Sequence, residues 1–117
     1  MTPDHIPPFA AVKDASRRQA VELSDSELKA LRNNTNCVFV KTCSHIAESR
    51  TFSSRNSKEK IATDGSDLYK VAEADLDTWM PVWKREGWSQ GTIDENRSSV
   101  HDVNKKLFGG MGIKYEP

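Results

Sequence analysis

All three tryptophans of this 117-residue chain fall inside the stretch DTWMPVWKREGW, Asp77 to Trp88, and a proline stands among them. Trp79 and Trp83 are four apart, so a continuous helix would place both on one face. Pro81 opposes that continuity. Within a helix it removes one hydrogen bond and clashes with the preceding turn, at a cost of roughly 3 kcal/mol. The window therefore predicts either a late-starting helix capped by Asp77 or Thr78, or two short helices bent at Met80-Pro81. Trp79 and Trp83 are read as core anchors, each able to bury up to about 250 Å², with Trp88 closing the edge of that core. The competing reading leaves Trp88 exposed beside Lys84 and Arg85. That pairing is enriched at protein interfaces and also suits stacking on an unpaired base.

A chain of this length has room for one core. Its residues are 36% hydrophobic and 29% charged, which describes a polar but folded domain. Pro3, Pro7 and Pro8 predict an irregular arm over 1–8. After it, Phe9, Val12, Ser16, Ala20 and Leu23 share a helical face. Ser24 and Glu27 form a capping box opening a second helix, with Leu28 and Leu31 inward, and the asparagines of NNTN stop it.

CVFVKTC, Cys37 to Cys43, predicts a central strand, apolar on both faces. A short helix is expected from Ser44, then a mobile serine-rich loop at about 53–60. Asp64-Gly65 predicts the turn of a hairpin within KIATDGSDLYKVA, and EADLDTWM begins a helix with Leu76, Trp79 and Met80 on one face. Thr92 and Glu95 form a second capping box. It opens a helix carrying Ile93, Val100, Val103 and Leu107, ended by Gly109. Ile113 to Tyr115 is read as an edge strand. The sum is a small α+β domain over 9–117, a three- or four-stranded antiparallel sheet packed with about four helices.

Seventeen basic residues balance seventeen acidic ones, which argues against bulk binding of a polyanion. The charge is nevertheless segregated. Lys41, Arg50, Arg55, Lys58 and Lys60 outnumber Glu48 and Glu59 across 37–63. Asp64, Asp67, Glu73, Asp75 and Asp77 outnumber Lys70 across 64–80. A basic patch beside an acidic one suits a protein partner. Cys37 and Cys43, separated by about 20 Å along a strand, lie too far apart for a disulfide. Free thiols point to a reducing, cytoplasmic setting. No secretory leader is expected from MTPDHIPPF, and no apolar run is long enough for a membrane span.

Few residues carry chemistry. His45 and Glu48 share a helical face, and with His101, Arg97 and Lys105, expected on the exposed side of the last helix, they would assemble a metal-independent ribonuclease. One histidine would take the 2′-hydroxyl proton, the other would protonate the leaving oxygen, and the cations would hold the phosphate. Cys37, Cys43 and His45 match zinc-ligand spacing poorly, so no metal is expected. GGMG at 109–112 follows a helix instead of opening one, which removes it as a phosphate cradle. No cofactor motif is present.

DGSDLYKVAEADLDTWM resembles the wing-then-helix ending of excisionase-type winged-helix proteins, with Tyr69, Val71, Leu76 and Trp79 at the matching positions. The resemblance implies a short hairpin leading into a helix, and DNA binding.

The favoured reading is a small, non-enzymatic regulatory protein that docks onto another protein as adaptor or inhibitor. Arg50, Arg55, Lys58, Lys84, Arg85 and Trp88 would form the contact surface. The alternatives are a winged-helix-like DNA-binding regulator and a small ribonuclease or toxin using His45, Glu48 and His101.

Overall fold

The structure, a computed structural model, describes residues 2–34, 37–40 and 57–117, with side chains for 5–31 and 57–117. Its described part is helical: α1 (Phe9–Arg18), α2 (Asp25–Asn34), α3 (Lys58–Gly65), α4 (Leu68–Arg85) and α5 (Gln90–Gly110). Among the described residues, the expected α+β domain with a three- or four-stranded sheet is not found. Strand pairing among the described residues is confined to β1 (Thr2–His5) and β2 (Cys37–Val40). They run antiparallel, with Thr2 opposite Val40 and His5 opposite Cys37. The stretch read as an irregular arm thus pairs over Thr2–His5, and beyond it Ile6 and Pro7 are fully buried. The distal end of the predicted strand, the helix from Ser44 and positions 53–56 of the expected mobile loop lie outside the described residues. Positions 58–60 of that loop are helical.

The predicted hairpin around Asp64-Gly65 is instead the junction of two helices, for local reasons. The Ser57 side chain accepts from the Lys60 N–H at the start of α3, and the Asp67 side chain accepts from the Lys70 N–H at the start of α4. Each satisfies a backbone donor that a helix start leaves unpaired. Gly65 answers a need other than a turn. A Cβ there would collide with the Asp14 carboxylate of α1 and stand 2.8 Å from its Cβ, so the glycine allows α1 and α3 to approach. The edge strand expected at the end of the chain is also absent. Ile113 and Tyr115 are buried in a segment without strand pairing.

α4 is the spine. Leu68, Val71, Ala72, Leu76, Trp79, Val82 and Trp83 are all buried at helical spacing, and Trp79 and Trp83 are each 1% exposed. The helix is neither late-starting nor split: it runs unbroken through Pro81. Pro81 and Asp77, whose carbonyl loses its helical donor, both lie on the exposed side of α4. The missing bond therefore falls where solvent can replace it. α5 returns antiparallel to α4 and buries Ile93, Val100, His101, Asn104 and Phe108. It starts three residues before the predicted capping box, because Ser89 accepts from the Thr92 N–H. The Ser24–Glu27 box forms as read, with both bonds at 3.2 Å.

Three helices end in one way. In α1, Val21 N–H donates to Ser16 O and Ala20 N–H to Arg17 O. In α4, Trp88 donates to Trp83 and Gly87 to Lys84; in α5, Ile113 donates to Phe108 and Gly112 to Gly109. This is the paired 6→1 and 5→2 pattern of a Schellman cap, which needs a left-handed residue just past the helix. Gly87 (φ 94°) and Gly112 (φ 75°) supply it, and at α1 an alanine does, Ala20 with φ 55°. Gly112, not Gly109, is therefore the glycine that stops the last helix.

Candidate functional site

The cap of α4 places the one tryptophan that the core does not enclose. Its backbone bonds bring Trp88 back over Trp83, and the two rings stack with centroids 4.9 Å apart and planes 9° from parallel. Trp83 is buried, while Trp88 remains 37% exposed. Both expectations for Trp88 are met in part: it covers the edge of the core and keeps an open face. Lys84 and Arg85, in the last turn of α4, are exposed beside it. A cleft of about 250 Å³ lies along the same helix end, with Met80, Pro81 and Ile93 as its apolar wall and Lys84 at its edge.

The structure thus gathers Lys84, Arg85 and Trp88 at one helix end. Lys58 is exposed on a different element, in the first turn of α3. Arg50 and Arg55 lie outside the described residues, as do His45 and Glu48.

His101 was expected on the exposed side of the last helix and is instead buried, 7% exposed. Its phase explains this: Val100, His101, Asn104 and Phe108 form the inward stripe of α5. Around it, Glu73 of α4 pairs with both Arg97 and His101. His101 Nε2 lies 2.6 Å from Glu73 Oε1, and His101 Nδ1 lies 2.6 Å from the Tyr115 hydroxyl. Asn104 Nδ2 donates to the Ile6 carbonyl at 3.0 Å and to the Tyr115 oxygen at 3.1 Å. Tyr69 stacks on the imidazole, centroids 4.4 Å apart.

Donor and acceptor rules give this chain one direction. The Ile6 carbonyl only accepts, so Asn104 presents its amide nitrogen. Tyr115 accepts from Asn104, and its O–H donates to His101 Nδ1. His101 Nε2–H then donates to the Glu73 carboxylate, whose other oxygen accepts from Arg97. Every link is satisfied with a neutral imidazole. The electrostatics agree: burial, then the Arg97 and Lys105 charges, hold His101 below its usual 6.5, against a smaller opposing pull from Asp102. Burial pushes the Tyr115 phenol up to about 12, moderated by the Asn104 bond and reinforced by Tyr69.

A polar cleft of about 360 Å³ opens onto this network, with Tyr69, Glu73 and His101 lining it together with Arg97, Ser98 and Lys105. General acid–base work needs a ring nitrogen within reach of substrate. Both nitrogens of His101 are committed here. The network ties helices and terminal segments together, and in it His101 is held by partners on both sides of the ring. Sequence reasoning missed Tyr69, Glu73, Asn104 and Tyr115. The available signal was the pair His101 and Asn104, polar residues at inward positions of an otherwise apolar stripe.

Among the described residues, no three His, Cys, Asp or Glu converge as a metal site, and no helix is long and apolar enough to cross a membrane. The implied wing is absent, since residues 58–85 form two helices. No family model matches this chain, and no curated protein or solved structure was found to be similar to it.

Proposed function

We propose that this chain is a small non-enzymatic binding protein that docks onto another protein through the capped end of α4. The observation that carries the reading is Trp88. Its ring is held flat on a buried ring by the helix cap, yet 37% of the residue stays open. An aromatic side chain fixed before contact loses little conformational freedom on binding. Lys84 and Arg85 beside it supply charge at the rim, where charge steers encounter and selects the partner. A cytoplasmic site of action belongs to this reading, on the free-thiol argument from Cys37 and Cys43.

The test is capture from host extract with the tagged full chain, with and without nuclease, alongside Trp88→Ala and Arg85→Glu. A protein partner should survive nuclease, and its recovery should drop about tenfold or more with Trp88→Ala. Circular dichroism should show both variants folded. Equal capture by Trp88→Ala and wild type would refute the docking role, and retention abolished by nuclease would move the case to nucleic acid.

A further inference from the structure

We propose that the C-terminal segment, residues 111–117, is a proton-operated strap: protonation of His101 releases Tyr115 and lets the segment lift from α5. The strap is held by apolar packing as well as polar ties: Met111 packs against the core, and the Tyr115 ring lies 5.2 Å from that of Tyr69 and 5.5 Å from that of Phe108. Ile113 and Tyr115 are its buried side chains, Ile113 N–H donates to Phe108 O, and Lys114 N–H donates to the Gln19 side chain at 2.7 Å. Lys114 and Glu116 are exposed. Tyr115 is its polar anchor, and that anchor depends on an unprotonated Nδ1 as acceptor. A proton taken from solvent onto Nδ1 makes that nitrogen a donor aimed at an oxygen which already accepts from Asn104. The Tyr115 hydroxyl proton then loses its acceptor in a buried place, a situation that burial penalises strongly.

The groups facing His101 come from each element around it. Tyr69 and Glu73 face it from α4 and Tyr115 from the strap, while Arg97, Asp102 and Lys105 surround it on α5. Glu73 favours the imidazolium, but its charge is shared with Arg97. Once charged, His101 keeps its Glu73 bond and can no longer accept from the Tyr115 hydroxyl, whose proton is left without its partner. The rupture is therefore confined to the strap side, away from the α4–α5 interface. Lifting the strap uncovers Phe108, Asn104 and the inner edge of the imidazole.

The test is amide exchange on the full-length protein, corrected for the intrinsic rate, as pH is lowered from about 7.5 to about 5.5. Protection at Lys114 should fall about tenfold or more while amides in the middle of α4 and α5 hold theirs. Tyr115→Phe should be unprotected at Lys114 throughout, and His101→Gln should show no pH step. Constant protection in the wild type would overturn the proposal, as would loss shared equally by α5, or a step that survives in His101→Gln. Should that variant fail to fold, the imidazole titration of the wild type decides. A release midpoint about one pH unit or more from it sinks the strap.

Discussion

Trp88 lies on Trp83 because the last turn of α4 delivers it there: Trp88 N–H donates to the Trp83 carbonyl, and the side chains of those two residues stack at 4.9 Å. The apolar contact that accompanies a Schellman cap is here a pair of indoles. Gly87 makes the cap affordable, since φ 94° suits glycine and strains other residues. Gly87→Ala should lower stability by about 1–2 kcal/mol. Trp88→Ala should lower it by a similar amount, about 1–2 kcal/mol, through the lost stack and the uncovered Trp83. Urea unfolding followed by circular dichroism checks both. A Gly87→Ala protein as stable as wild type would mean that the cap is not maintained in solution.

The α1 cap carries the same geometry without the glycine. Ala20 sits at φ 55°, where a Cβ is unfavourable. Ala20→Gly should therefore raise stability by about 0.5–1 kcal/mol, the relief of strain exceeding the added freedom of the unfolded chain. A rise in the thermal midpoint of a few degrees is the expected reading.

Gly65→Ala tests the approach of α1 to α3. The added methyl meets Asp14, with its Cβ at 2.8 Å. The expected loss is about 1–3 kcal/mol. Adding Asp14→Ala removes the carboxylate but leaves that Cβ, so it should recover only part of the loss. Had Asp64-Gly65 been a hairpin turn, the two positions would not couple in a double-mutant cycle.

The pH profile should show two edges. The folded state holds His101 below 6.5, so between its folded value and 6.5 the unfolded chain binds more protons. That contribution to stability is whole above pH 6.5 and is lost as pH falls through the folded value. Tyr115 acts in the opposite sense. Raised from 10.0 to about 12, its contribution is whole below pH 10 and lost as pH climbs toward about 12. Urea midpoints across the range measure both edges, and Tyr115→Phe should remove the alkaline one. An alkaline edge that persists in that variant would assign it to other groups.

What the sequence made legible was local. The Ser24–Glu27 box, the burial of Trp79 and Trp83, and the extended run at Cys37–Val40 all depend on neighbours within a few positions. The errors came where one signal had two meanings. Asp64-Gly65 reads as a turn, and only the α1 contact at Asp14 reveals why the glycine is there. Thr92 and Glu95 fit a cap, but Ser89 captures the Thr92 amide first. Pro81 reads as a break, and only the orientation of α4 puts the lost bond toward solvent. The His101 network joins residues 28 and 14 positions apart, through the packing phase of two helices that no single segment encodes.

The bond from Asn104 to Ile6 and the bond from Lys114 to Gln19 have a kinetic meaning. The first spans 98 positions and the second 95. Such distant ties close only after the intervening helices are in place, so they belong late in folding. Asn104→Leu should accordingly speed unfolding and leave the folding rate nearly untouched; a matching slowdown of folding would place the tie in the nucleus. If late, these ties are also the first to open. The molecule then comes apart from the edges where its early and late segments meet, while α4 is still wrapped in its core.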